Sequence, residues 1–202
     1  MKRGLLLIIS GPAGSGKGTV ISELMKSSDD FRYSVSATTR EPRPGEVDGE
    51  SYFFVSREQF EDKIARGEML EYAEYVGNLY GTPRDAVEAA LDAGRHVILE
   101  IETQGALQVM KRCRDAVSVM ILPPDGKTLR ARLEGRGTES QDVIERRMET
   151  ARREVSKLGM YDYLVVNEND SAKKAADDIK KIVEAELMKT SRNLTFKEKY
   201  FE

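Results

Sequence analysis

A chain of 202 residues, 40% apolar and 33% charged, carries enough material for one compact domain with a sizeable core and lacks the Gly/Pro excess or apolar depletion of a disordered segment. Its net charge of -3 supplies no global field for nucleic acid, so an anionic ligand must be held by a local group of Arg and Lys. Cys113 is the only cysteine, which excludes an internal disulfide and a cysteine-built zinc site and suits a reducing, cytoplasmic setting.

The first apolar run, Leu5 to Ile9, follows Met1-Lys2-Arg3, but it is too short for a signal peptide and ends in a glycine loop. It predicts a buried strand. Further apolar runs at His96 to Ile101, Val117 to Leu122 and Tyr163 to Val166 alternate with helical patterns, which predicts an α/β fold with a central parallel sheet flanked by helices. No run is long enough to span a bilayer, so no membrane partner is expected. Two stretches break the alternation. Residues 36–90 carry Glu41-Pro42-Arg43-Pro44-Gly45 and aromatic-rich strands around Tyr52 to Val55 and Leu70 to Val76, reading as an inserted α+β lobe. Residues 126–158 centre on the glycine-flanked basic turn Gly135-Arg136-Gly137-Thr138 and read as a lid. Within it, Ile144, Met148, Ala151, Val155 and Leu158 line one face of a helix with Gly159 at the C-cap position. Another helix starts at Asp170-Ser171 and carries Ala175, Ile179, Ile182 and Val183 on one face. The core is thus expected at 1–35, 91–125 and 159–190, in one domain, with a tail at 191–202 that the pattern does not assign.

Chemistry is concentrated in Gly11-Pro12-Ala13-Gly14-Ser15-Gly16-Lys17-Gly18-Thr19, placed after a strand and before a helix. Glycines let consecutive backbone N–H groups converge on phosphate oxygens, the helix N-terminus adds positive potential, and Lys17 reaches the β/γ-phosphates. ATP or GTP is the implied donor. Gly18 stands where Ser or Thr usually meets Mg²⁺, so the hydroxyl has moved to Thr19. The pair Arg40 and Arg43, in a loop stiffened by Pro42, suits bidentate recognition of a phosphate dianion.

The order and spacing of Val35-Ser36-Ala37-Thr38-Thr39-Arg40, Pro44-Gly45-Glu46-Val47-Asp48-Gly49, Tyr52-Phe53-Phe54-Val55, Gly77-Asn78-Leu79-Tyr80-Gly81-Thr82, Glu102-Thr103-Gln104-Gly105, Leu133 to Thr138 and Val165-Val166-Asn167 resemble those of guanylate kinases. The resemblance covers nearly the whole chain except the tail. It implies a P-loop kinase fold with an inserted GMP-binding lobe and a mobile lid, and reversible, Mg²⁺-dependent phosphoryl transfer from ATP to GMP, with dGMP as a further acceptor. By the same resemblance, Arg40, Arg43, Tyr52 and Tyr80 would hold the GMP phosphate, and Ser36, Glu71, Thr82 and Glu100 would meet the base. Carboxylates fit guanine's adjacent N1–H and N2–H donors and mismatch adenine. Lys17, Arg40, Arg136 and Arg147 would surround the transferring group, Asn167 would border the adenine, and Thr19 and Glu102 would lie at Mg²⁺, Glu102 through water. Many relatives carry Asp where this chain has Glu100 and Glu102. Guanylate-kinase-like binding modules that have lost catalysis predict a damaged phosphate loop, whereas Gly16, Lys17 and Thr19 are present here. His96 and Cys113 read as structural. ATP and GMP are the expected partners, nucleic acid is not, and monomer and homo-oligomer both remain open.

Overall fold

The computed structural model describes residues 2–135, 140–169 and 171–200. In chain order its elements are β1 (Leu6–Ser10), α1 (Lys17–Ser27), β2 (Phe31–Tyr33), β3 (Ala37–Thr38), β4 (Phe53–Phe54), α2 (Arg57–Ala65), β5 (Met69–Tyr75), β6 (Asn78–Pro83), α3 (Arg84–Asp92), β7 (His96–Glu100), α4 (Thr103–Arg112), β8 (Val117–Leu122), α5 (Gly126–Glu134), α6 (Gln141–Val155), β9 (Tyr163–Val166), α7 (Ala172–Met188) and α8 (Thr195–Lys199). Short 3-10 turns lie at Leu158–Met160 and Thr190–Arg192.

A parallel five-stranded sheet in the order β2-β7-β1-β8-β9 forms the centre. Every residue of β1 is buried, and successive side chains point to opposite faces. Leu5, Leu7 and Ile9 pack with Val20 and Leu24 of α1 and Ile179 and Val183 of α7. Leu6 and Ile8 pack on the other face with Val87 and Leu91 of α3 and Ala106 and Val109 of α4. Each such buried aliphatic side chain contributes about 2 kcal/mol relative to exposure, which makes β1 the firmest support available to the loop that follows it.

A second, four-stranded sheet in the order β4-β3-β6-β5 has its own apolar cluster, in which Phe60 of α2 meets Ala37, Met69 and Leu79. Ser56 and Gln59 close the start of α2 as a reciprocal capping box. Helices α5 and α6 share a further cluster, Leu129 and Leu133 against Ile144, Met148 and Ala151.

Two sequence expectations need correction. The helix through Ile144 ends at Val155, and Leu158 and Gly159 lie in the 3-10 turn beyond it. At its end Lys157 N bonds the Glu154 carbonyl three residues back, and the Ser156 hydroxyl donates to the carbonyl of Arg153 at 2.8 Å. The helix after Ser171 is present, but the Ser171 side chain makes no capping bond. The short edge strand β2 was not foreseen, because only Phe31 of its three residues is buried. The start of the tail is docked through Arg192 and Asn193, while Leu194, Phe196 and Tyr200 are exposed. Arg192 pairs with Glu186 of α7 at 3.0 Å and donates to the carbonyl of Asp115 at 2.9 Å, and Asn193 receives a 2.5 Å bond from Lys2.

Candidate active site

Strand β1 ends at Ser10 and delivers the glycine loop to the carboxyl edge of the parallel sheet, where ligands of open α/β sheets bind. Gly11 passes so close to β8 that an added Cβ would lie 2.2 Å from the carbonyl oxygen of Ile121. Gly16 has φ 85°, and its Cβ would lie 2.4 Å from Asn167 Nδ2. Both glycines are therefore fixed by space and by backbone conformation, Gly11 having φ 148°. Helix α1 begins on Gly16 with no side-chain cap, so the first N–H groups of the helix are turned to the loop's concave side. Pro12, Gly14 and Ser15 are buried, whereas Ala13, Gly18 and Thr19 are exposed. The Lys17 ammonium donates to the carbonyls of Gly11 and Pro12, lying along the loop it serves.

The loop is braced from behind. Asn167, 5% exposed at the end of β9, donates from Nδ2 to the Ser15 carbonyl at 2.9 Å. Arg132 of α5 donates to the Ser15 carbonyl at 3.3 Å, to the Asn167 carbonyl at 2.9 Å and to Asn169 Oδ1 at 3.0 Å. A cleft of about 790 Å³ opens beside these residues, lined by Gly16, Thr19, Arg132, Asn167, Asn169 and Lys173 among others. Asn167 Oδ1 and Ser15 Oγ are buried without a hydrogen-bond partner among the described residues. Arg132 was missed by the sequence reading, because nothing in its spacing separates it from an ordinary helix-surface arginine.

Glu102 is exposed at the start of α4. Nearby, Glu154 of α6 accepts a 3.4 Å bond from Thr103 Oγ1. Burial pushes the Glu154 carboxyl up and Glu102 adds to the rise, while Lys17 opposes it, so these three charges share one locality. The two carboxylates are hard oxygen donors of the kind Mg²⁺ prefers, whereas Thr19 lies in the cleft beside Asn167. Arg147 lies half-buried on α6. Arg136 lies outside the described residues.

On the second sheet, Arg40 makes a two-pronged pair with Glu46, at 2.9 and 2.8 Å, and donates to the Glu41 carbonyl at 2.7 Å. Its guanidinium carbon lies 5.5 Å from the ring centre of Tyr52, and Tyr52 meets Tyr80 edge-on at 6.1 Å. The Arg40 guanidinium and the backbone N–H of Arg43 hold the Glu46 carboxyl below its usual range. Arg40, Tyr52 and Tyr80 are thus brought together, whereas the Arg43 side chain is exposed. Glu46 belongs to a motif singled out in the sequence, yet its part in orienting Arg40 appears only in three dimensions.

Glu71 is 6% exposed and accepts a 2.8 Å bond from Thr82 Oγ1 across the β5–β6 pair. Burial raises its carboxyl above the ordinary value, with Thr82 and Arg112 opposing. Ser36 is half-buried just before β3, and its carbonyl accepts from Phe53 N at 2.9 Å. Glu100, at the end of β7, accepts from the Tyr33 hydroxyl at 3.1 Å. Burial, then the Glu100 charge, raises the Tyr33 phenol. Tyr33 is a second partner the sequence did not reveal, since it comes from the unforeseen strand β2. His96 Nδ1 accepts from Leu5 N at 3.0 Å, as a structural residue does. Cys113 is half-buried at the edge of the α3–α4 cluster.

A glycine-rich loop between the central parallel strand and an uncapped helix, braced for close approach of an anion, defines a P-loop nucleotide-binding protein. The guanylate kinase family model matches residues 3–186. Similar proteins include the guanylate kinases of Lactococcus lactis, 53% identical over 95% of this chain and 92% of the relative, and of Streptococcus thermophilus, 55% identical over 95% and 91%. The crystal structure of guanylate kinase from Anaplasma phagocytophilum superposes with a TM-score of 0.70 at 37% identity, covering 95% of this chain and 90% of that one. The chain belongs to the guanylate kinase family.

Proposed function

We propose that the protein transfers the γ-phosphoryl group of ATP to GMP, giving ADP and GDP, accepts dGMP as well, and serves purine nucleotide metabolism in the cytoplasm. The observation that carries this reading is an intact phosphate loop in a chain whose family model spans residues 3–186. ATP would place its phosphates on the N–H groups of residues 11–19, with Lys17 swinging from the loop carbonyls to the β/γ-phosphates. Adenine would border Asn167, whose unpartnered Oδ1 suits an exocyclic amine. Arg132 would hold this donor side rigid through its three bonds.

On the acceptor side, the GMP phosphate would take over the Arg40 fork from Glu46, joined by Arg43, Tyr52 and Tyr80. Guanine would present N1–H and N2–H to Glu71, with Thr82, Ser36 and Glu100 completing the pocket. Thr19 and Glu102 would hold Mg²⁺, the latter through water, and the ion would neutralise charge on the β/γ-phosphates. Phosphoryl transfer asks the protein mainly for positioning and charge. We assign that to Lys17 and Arg40 and, from the α5–α6 region, to Arg136 and Arg147, with residues 126–158 closing as a lid over the lobe 36–90 and the core. The test is ADP release with Mg-ATP and, separately, GMP, dGMP, AMP, CMP, UMP or no acceptor. Turnover confined to guanine nucleotides is expected. Turnover with another acceptor would discard the guanine pocket, and none in folded protein would discard the kinase.

A further inference from the structure

Strand β5 lies at the edge of its sheet, so one side of its backbone has no strand partner. Its pairing with β6 contains a bulge. Met69 faces Pro83 and Glu71 faces Thr82, which leaves Leu70 as the extra residue immediately before Glu71. A bulge bends the strand and re-aims the next side chain, at the cost of unpaired backbone groups. Helix α4 supplies the missing partners. Arg112 Nη1 donates to the carbonyls of Met69 at 2.8 Å and Leu70 at 3.0 Å, both at the bulge. On the other side of Glu71, the Gln108 amide donates to the Tyr72 carbonyl at 3.2 Å and accepts from Tyr72 N at 3.5 Å. One turn earlier, Gly105 lies against the Glu71 carboxylate, and an added Cβ would lie 2.9 Å from Oε2.

We infer that Gln108 and Arg112 are positioning residues for acceptor-base selection, clamping the β5 bulge so that the Glu71 carboxylate is aimed at the base, with Gly105 giving it room. The inference rests on the reading of Glu71 as the group that accepts from guanine. Both bonds leave Nη1, whose two N–H groups are fixed in the guanidinium plane and aimed at successive carbonyls, whereas the donors of a lysine ammonium rotate freely, and the guanidinium places a positive charge near Glu71 without occupying the carboxylate. The carboxylate oxygens remain available to Thr82 and to the base. Because α4 starts at the end of β7, the same helix ties the base pocket to the core sheet.

Steady-state kinetics with Mg-ATP and GMP on Arg112→Met, Arg112→Lys, Gln108→Leu, Gly105→Ala and Glu71→Gln test this. Loss of the clamp is expected to raise the KM for GMP about tenfold while kcat and the KM for ATP stay within about twofold. Thr82 of β6 and Arg112 of α4 are the groups that face the Glu71 carboxyl. Arg112→Met should therefore also move the acid limb of kcat/KM for GMP to higher pH, whereas Arg112→Lys should raise KM and leave the limb in place. Loss of stability with an unmoved limb and equal losses for both substrates would reduce Arg112 to a structural prop and overturn the inference. A wild-type KM for GMP in both Gln108→Leu and Arg112→Lys overturns it too, even if Arg112→Met fails to fold. If Glu71→Gln itself leaves the KM for GMP unchanged, the base reading fails, whereas an impaired Glu71→Gln beside unaffected clamp variants removes the clamp alone.

Discussion

Under the proposed reading, Glu71 meets two demands that oppose each other. A buried carboxylate is costly to keep charged, yet only the charged form accepts both guanine donors. Its pKa lies above the unfolded value, taken as 4.5, so folding favours the protonated form. Stability therefore falls as pH rises from the unfolded value through the folded one. Glu71→Gln is expected to reduce kcat/KM for GMP about a hundredfold. Its urea midpoint should exceed that of the unsubstituted protein, by a margin that widens as pH rises from 4.5. Lys17 stands differently, because the proposed reading sets it against the transferring charge. Lys17→Ala should lower kcat by about a thousandfold or more with an unchanged circular dichroism spectrum, and an active, folded variant would remove the phosphate-loop assignment.

At the scale of elements, the β5–β6 hairpin carries a local conflict. Val76 has φ 48° beside Gly77 at φ 75°, so a β-branched side chain occupies a two-residue turn that favours Asn-Gly, and it is 80% exposed with no packing to compensate. Val76→Asn is expected to stabilise the protein by about 1 kcal/mol in urea titration, with turnover unaffected. The inner strands of the parallel sheet were legible in the sequence because both faces are buried, which leaves a continuous apolar run at Leu5 to Ile9 and one broken only by Ser118 at Val117 to Leu122. Strand β2 was illegible for the opposite reason, since two of its three residues face solvent. The glycine loop could be read because geometry forces its residue types. Arg132, Glu46 and Tyr33 act across elements distant in the chain, and no local pattern marks such a partner. The α5–α6 pair could be foreseen as helical, but not where α6 stops, since the apolar spacing runs on to Leu158 while the helix ends at Val155.

At the scale of the molecule, the tail closes over Glu186. This carboxylate is 1% exposed and accepts from the Tyr163 hydroxyl at 2.5 Å, Lys189 at 2.5 Å and Arg192 at 3.0 Å. Burial alone would raise its pKa, but Lys189, Tyr163 and Arg192 together hold it below the ordinary value. A depressed folded pKa contributes stability that is present above the unfolded value and lost as pH falls through the folded one. Arg192→Ala should lower the melting temperature by about 5 °C at neutral pH. Calorimetry should show this deficit shrinking as acid protonates Glu186, while both KM values stay unchanged. Little of this could be read beforehand, because the tail's polar composition matches a frayed end as well as a docked one.

The hydrogen bond between Lys2 and Asn193 makes the backbone nearly a ring, with the approach to β1 lying beside the exit from α7. Which peptide bond is left open in such a ring is a matter of gene order more than of architecture. A permuted chain running from Asn193 through a short linker into Lys2, and opened between Val76 and Gly77, would keep every strand of the central sheet. It would turn the strained hairpin tip into two loose ends, so the inserted sheet would close by diffusion of its own halves, and base recognition would acquire a folding step of its own.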